Sequence, residues 1–196
     1  MKLNKTWIII IAIVAALALI GLIVGGALVS GYNGLVEQQT EVEAKQADIQ
    51  TQLQRRADLI PNFVATVKGY AAHEQETYTA VTEARNALGK AEGVGEQAAA
   101  ANELDRAIDI WVNAVTENYP ELKANQNFIA LQDELAGTEN RITQARNKYN
   151  EAAKEYNTAI RKFPKSLLAG MFGFEKAEYF EAAEGSENAP VVDFGA

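Results

Sequence analysis

Apolar and polar positions change rhythm once along this chain. From Thr6 to Val36 no charged residue occurs, and the centre, Trp7 to Val29, is almost wholly Ile, Val, Leu, Ala and Gly. As a helix rising about 1.5 Å per residue, that run is long enough to cross a hydrocarbon layer roughly 30 Å thick. After Glu37 the apolar residues recur at intervals of three and four, the spacing of helices with one buried stripe. No period-two alternation of any length interrupts them, so strands are not expected.

The N-terminal run is read as an uncleaved single-pass anchor over residues 6–30. Export signals carry a shorter apolar core, about 7–15 residues, ending in a small-residue cleavage site. Here the core is longer, and Ala27-Leu28-Val29-Ser30-Gly31 matches that site poorly. Lys2 and Lys5 precede the span, whereas Glu37, Glu41, Glu43 and Asp48 follow it with only Lys45 between them. Basic residues are retained on the cytoplasmic side. A short cytoplasmic N-terminus (1–5) and an extracytoplasmic bulk at the bacterial cytoplasmic membrane are therefore expected. Gly21 and Gly25 have the spacing of a close helix contact, but glycine is common in membrane helices anyway.

Three long helices are expected beyond the span, forming an elongated antiparallel bundle over residues 31–164. The clearest runs from about Asn125 to Phe163. Its seam is Phe128, Leu131, Leu135, Thr138, Ile142, Ala145, Tyr149, Ala152, Tyr156 and Phe163, the seven-residue rhythm of a bundle or coiled coil. A second helix, about Glu96 to Asn118, shows Leu104, Ile108, Trp111, Val112 and Val115 on one face and ends at Tyr119-Pro120. Gly89, Gly93 and Gly95 before it are read as the stop of the preceding helix. That first helix, about Tyr32 to Leu88, is marked by Val42, Ile49, Leu53, Ile60, Val67, Tyr70, Tyr78, Val81 and Leu88. Pro61 removes a backbone donor inside it. The apolar spacing stays in phase across Pro61, which favours a kink and three crossings over a full break and four. Three crossings put the following apolar piece, 165–180, at the end distal to the membrane; four would return it to the bilayer. The acidic tail, 181–196, is expected to be disordered.

Composition narrows the function. All 26 acidic residues follow the span together with 16 of the 18 basic ones, a net charge of −10 there. Such a balance disfavours nucleic acid, and also electrostatic adhesion to anionic headgroups. There is no cysteine, hence no disulfide framework or thiolate chemistry. His73 is the sole histidine and Thr occupies position 77, so the His-Glu-x-x-His zinc pattern is not formed and a catalytic zinc lacks ligands. No nucleophile elbow or phosphate-cradling loop occurs, and charged pairs at helical spacing read as solvated faces. No catalytic residue, cofactor or metal is therefore expected.

Two groups of residues remain. Arg55, Arg56, Glu139, Arg141, Arg146, Asn150 and Asn157 are read as a structural polar layer that fixes helix register, with a polar groove for a partner as the rival reading. Leu167, Leu168, Met171, Phe172 and Phe174 are read as a contact for a partner or for the membrane.

Several segments carry a family resemblance. They are Arg55-Arg56-Ala-Asp-Leu-Ile-Pro-Asn62, Val67-Lys-Gly-Tyr-Ala-Ala-His-Glu74 and Glu117-Asn-Tyr-Pro-Glu-Leu-Lys-Ala-Asn-Gln-Asn-Phe128. Leu131-Gln-Asp-Glu-Leu-Ala-Gly-Thr-Glu-Asn-Arg-Ile142, Ala145-Arg-Asn-Lys-Tyr-Asn150, Tyr156-Asn-Thr-Ala-Ile-Arg-Lys-Phe-Pro164 and Phe172-Gly-Phe-Glu-Lys-Ala-Glu-Tyr-Phe180 continue the series. Together they resemble the LemA family of bacterial membrane proteins, over all but the acidic tail. The resemblance implies an N-terminally anchored, exported helical protein with no established catalytic residue. Some members are similar to proteins used in building magnetic organelles, and others occur beside membrane-bound zinc proteases. The expected function is that of a scaffold or adaptor acting through protein contacts, with self or a membrane protease as partner. An accessory subunit of such a protease, or a lipid-sensing or membrane-remodelling protein, are the alternatives.

Overall fold

The structure is a computed structural model, described here for residues 5–68 and 75–181; His73, Tyr70 and the acidic tail from 182 onward lie outside those residues. In order the elements are α1 (Lys5–Lys68), α2 (Gln75–Leu88), α3 (Gly93–Asn118), a 3-10 turn (Pro120–Ala124), α4 (Gln126–Ala159) and α5 (Lys165–Phe172). Among the described residues there is no strand. By contacts the chain forms two compact units: residues up to Val42 with Lys154–Ala177, and Glu43–Ala153 with the segment from Glu178.

Helix α1 continues without interruption through Pro61. A proline removes one helical hydrogen bond and leaves the carbonyl four residues earlier without its donor. That carbonyl belongs to Ala57, and Arg85 of α2 donates to it through Nε at 2.9 Å. The same contact corrects the expected single helix over Tyr32–Leu88. A straight helix would place residue 85 about 42 Å beyond residue 57; the contact instead sets α2 back against α1 with its direction reversed. The ammonium of Lys68 over the Tyr78 ring, 4.3 Å from its centroid, marks the same reversal. In-phase spacing survived because both helices bury a stripe on the same packed layer: Ile49, Leu53, Ile60 and Val67 of α1, Val81 and Leu88 of α2.

The second unit is centred on aromatic rings from three helices. Phe63 of α1 meets Trp111 of α3 edge-on at 5.1 Å and stacks on Phe128 of α4 at 5.1 Å. All three are fully buried, as are Leu104, Ile108, Val115, Leu122 and Ile142 of the same unit. Arrangements of this kind contribute beyond the area they bury. Helix α3 starts at Gly93, whose φ of +75° is the one left-handed turn in that loop; Gly89 does not stop α2 in this way. Asn125 opens α4 by accepting from the amides of Asn127 and Phe128 at 2.9 and 3.1 Å, a side-chain cap for two otherwise unpaired donors.

In the first unit, the large apolar side chains of α1 from Trp7 to Val29 are all exposed, and the stretch is long and apolar enough to cross a membrane. Helix α4 ends at Ala159, not at Phe163, so Phe163 leaves the expected seam and stands 80% exposed. The turn after it leads into α5. Gly173 closes α5 at φ +74°, and the next amide, that of Phe174, donates to the Ala169 carbonyl at 3.0 Å.

The expected distal position of 165–180 is not met. Leu168 and Ala169 are buried with Leu35 and Ala159, just past the apolar stretch of α1. A methyl group added at Gly31 would lie 2.8 Å from Leu168 Cδ1, and the side chain of Lys165 runs past Gly34. Tyr32 holds the rings of Phe172 and Phe174 at 4.8 and 5.7 Å. Helix α2, separate from α1, is one helix more than expected between the span and this segment.

Candidate functional site

In the second unit, Arg56 of α1 is 5% exposed and is the centre of a charged cluster. Its Nη1 meets Asp105 Oδ1 of α3 at 2.6 Å and pairs with Glu139 Oε2 of α4. Arg146 of α4 belongs to the same field, since Asp105 and Glu139 both act on it; burial pushes its guanidinium below the usual range. Burial also raises Asp105 from an ordinary 3.8 to about 6, against the pull of Arg56, with Glu139 adding to the rise. Desolvation outweighs the ion pair here, as is common where charges leave water. The ion pairs of Arg56 join α1, α3 and α4, while Arg56 Nε and Arg146 Nε and Nη2 are buried without a hydrogen-bond partner. Sequence reading picked out Arg56, Glu139 and Arg146 but missed Asp105, whose place on a partly polar turn of α3 looked like an ordinary solvated face.

Arg55 and Arg141 lie outside this cluster. Both meet Glu134 Oε1, at 2.6 and 3.1 Å, and all three are partly exposed. Exposed pairs of this kind contribute little individually.

Asn150 does something different from the helix-to-helix contact expected of it. Its amide group donates to the Phe180 carbonyl at 2.9 Å and accepts from the Phe180 amide at 2.8 Å. Both polar groups of one extended residue are thereby satisfied by one side chain. The neighbouring Tyr149, 1% exposed, donates its hydroxyl to the Glu178 carbonyl at 2.8 Å, and burial raises the phenol's pKa, with the Glu178 carboxylate adding to the rise. Arg146 covers the Phe180 ring, 4.7 Å from its centroid.

The first unit repeats the device. Asn157 donates to the Ala177 carbonyl at 2.9 Å and accepts from the Ala177 amide at 2.8 Å. The seven-residue spacing of the two asparagines was legible in the sequence; the extended partner was not, because its own side chains carry no periodic signal. This unit also holds a groove of about 490 Å³ whose walls include Lys154, Glu155, Lys162, Phe163 and Lys165. Of the apolar contact residues, Leu168 is buried and Phe174 partly so, whereas Leu167, Met171 and Phe172 are exposed. Among the described residues no group of His, Cys, Asp and Glu is placed to hold a metal ion.

These features define an all-helical protein with one N-terminal helix able to cross a membrane and a polar interior of ion pairs and asparagine clamps. The model of the LemA family matches residues 45–194, and the chain belongs to that family. It is also similar to two magnetosome proteins of Paramagnetospirillum magneticum (strain ATCC 700264 / AMB-1), MamQ 1 and MamQ 2. Each is 25% identical over 184 residues, covering 79% of this chain and 66% of the relative. Magnetosome protein MamQ of Magnetospirillum gryphiswaldense (strain DSM 6361 / JCM 21280 / NBRC 15271 / MSR-1) is 25% identical over 183 residues, 78% of this chain and 65% of its own length. The chain thus spans just under two thirds of these relatives.

Proposed function

We propose that the protein is a membrane-anchored scaffold or adaptor of the bacterial envelope that acts through protein contacts and has no catalysis of its own. One observation carries this reading. Each of the seven polar residues read as a structural layer has a contact within its own chain. Arg55 and Arg141 end on Glu134, Arg56 on Asp105 and Glu139, Arg146 on the Phe180 ring, and the two asparagines on backbone. They serve the geometry of the fold, and the outward helical surfaces are left for partners. The magnetosome association of the relatives is in keeping with a role in organised membrane structures.

In this reading α1 is inserted with its N-terminus in the cytoplasm, because Lys2 and Lys5 precede the apolar stretch and acidic residues follow it. Cross-linking in intact membranes followed by mass spectrometry tests the role. Recurrent cross-links from exposed helix surfaces to one or a few proteins, or to a second copy, are the expected result; recovery of intramolecular links alone overturns it.

A further inference from the structure

Helix α5 has two apolar sides, and the protein covers only one of them. Leu168 and Ala169 face the core of the first unit. On the other side Phe163 is 80% exposed, Met171 75% and Leu167 58%; Phe172, one turn on from Leu168, stays against Tyr32. Isolated exposed apolar residues need no explanation, but three large ones on one short helix and its entry turn form a patch.

The same unit fixes where this patch lies along α1. Helix α5 is seated on Gly31, Tyr32 and Gly34. These residues lie only about 3–8 Å along the helix beyond Val29, the last residue of the apolar run. The headgroup layer on each side of a hydrocarbon core is of the same depth, roughly 5–8 Å. Charge agrees with the position. Between residues 158 and 173 the chain carries Arg161, Lys162 and Lys165 and no carboxylate. Glu155 shares a groove with Lys162 and Lys165, but Lys154 stands in the same groove, and exposed carboxylates farther than a Debye length of about 8–10 Å are screened from them.

We propose that Phe163, Leu167 and Met171 enter the headgroup region of the leaflet from which α1 emerges, with Arg161, Lys162 and Lys165 on anionic lipid phosphates. The inference rests on reading α1 as an inserted anchor. An apolar face rimmed by basic residues is the composition of helices that lie in a membrane interface. The bilayer is thus the occupant, and α5 is a second, in-plane foothold beside the spanning one.

The absence of cysteine makes the test direct. Full-length protein carrying Met171→Cys or Val24→Cys is labelled with a fluorophore and reconstituted into phosphatidylcholine vesicles, with and without phosphatidylglycerol. Circular dichroism confirms that helix content is retained, as expected for side chains this exposed. Nitroxide at headgroup depth should quench the label at 171 several-fold more than aqueous iodide does, and more strongly when phosphatidylglycerol is present. Nitroxide at acyl depth should quench the label at 24. Quenching at 24 but free iodide access at 171 overturns the docking and leaves the anchor intact. No lipid quenching at 24 overturns the anchor and the docking together. A label at 171 shielded from both quenchers only at high protein density identifies a second copy as the cover, and overturns the lipid assignment. Quenching at 171 that ignores phosphatidylglycerol overturns the role given to the three cations.

Discussion

Arg85 donates its Nε–H to the Ala57 carbonyl at 2.9 Å, and that carbonyl is the one Pro61 leaves without a helical donor. A proline in a helix interior ordinarily kinks or breaks it. Here a side chain from the next helix fills the vacancy, and α1 runs on to Lys68. Arg85 and Pro61 should therefore be energetically coupled through the Ala57 carbonyl. Arg85→Met is expected to cost about 1–3 kcal/mol, the penalty for a buried carbonyl left unpaired. In a Pro61→Ala background the restored backbone N–H should remove most of that cost. Urea unfolding of the four members of the cycle measures it; additive effects would sink the explanation.

The asparagine clamps make a sharper demand than bulk. Asn150 must both donate to and accept from the backbone of Phe180, so an isosteric acid fails as surely as a truncation. Asn150→Asp loses the donor and sets a charge against the Phe180 carbonyl. Both it and Asn150→Ala should destabilise by about 1–2 kcal/mol and speed hydrogen exchange at the Phe180 amide. Asn157→Ala should do the same to Ala177. Protection unchanged at these amides would show that the segment is held by its apolar contacts instead.

A pH dependence follows from Asp105. Its pKa is raised in the folded protein to about 6 from 3.8, so the folded state holds this proton more tightly than the unfolded chain. The group therefore favours folding increasingly as pH falls through about 6 toward 4, and opposes it above. Paired carboxylates with depressed pKa values show the opposite trend, which makes the comparison with a neutral variant the informative one. Asp105→Asn should compare better with the parent near pH 8 than near pH 5. A stability difference independent of pH across that window would contradict the assignment.

Gly31 tests the seat of α5. A methyl group there meets Leu168 Cδ1 at 2.8 Å, the far end of a side chain that can turn. Gly31→Ala should be nearly neutral, since the better helix former offsets about 1 kcal/mol. Gly31→Leu has nowhere to go and should cost about 1–3 kcal/mol by overpacking. Hydrogen exchange across Lys165–Phe172 reports the result; protection equal in Gly31→Leu and the parent protein would mean that α5 does not depend on this contact.

Much of the fold was legible because its helices obey one rhythm. Phe128, Leu135, Ile142, Tyr149 and Tyr156 were placed correctly on the buried side of α4 by spacing alone. What periodicity cannot register is a change of helix that keeps phase, and the step from α1 to α2 is one: Val67 and Val81 continue one apolar spacing from two different helices. It also extends too far where a helix stops without a polar warning, as it did at Phe163. The charged cluster was half visible. Arg56 stood out among the matched segments, but the partner that decides its electrostatics, Asp105, sits among residues that any solvated helix could carry. The least legible element was the extended piece around Ala177 and Phe180, which is held through its backbone and so leaves no mark in side-chain chemistry.

The first unit is assembled from both ends of the described chain: Gly31 and Leu35 meet Leu168 and Ala169. During synthesis the early partner leaves the ribosome long before the late one exists. Residues 43–153 are available to collapse first, while the base of the anchor waits for the sequence that completes it. A polypeptide halted anywhere before α5 would leave Gly31 and Leu35 without the residues that cover them.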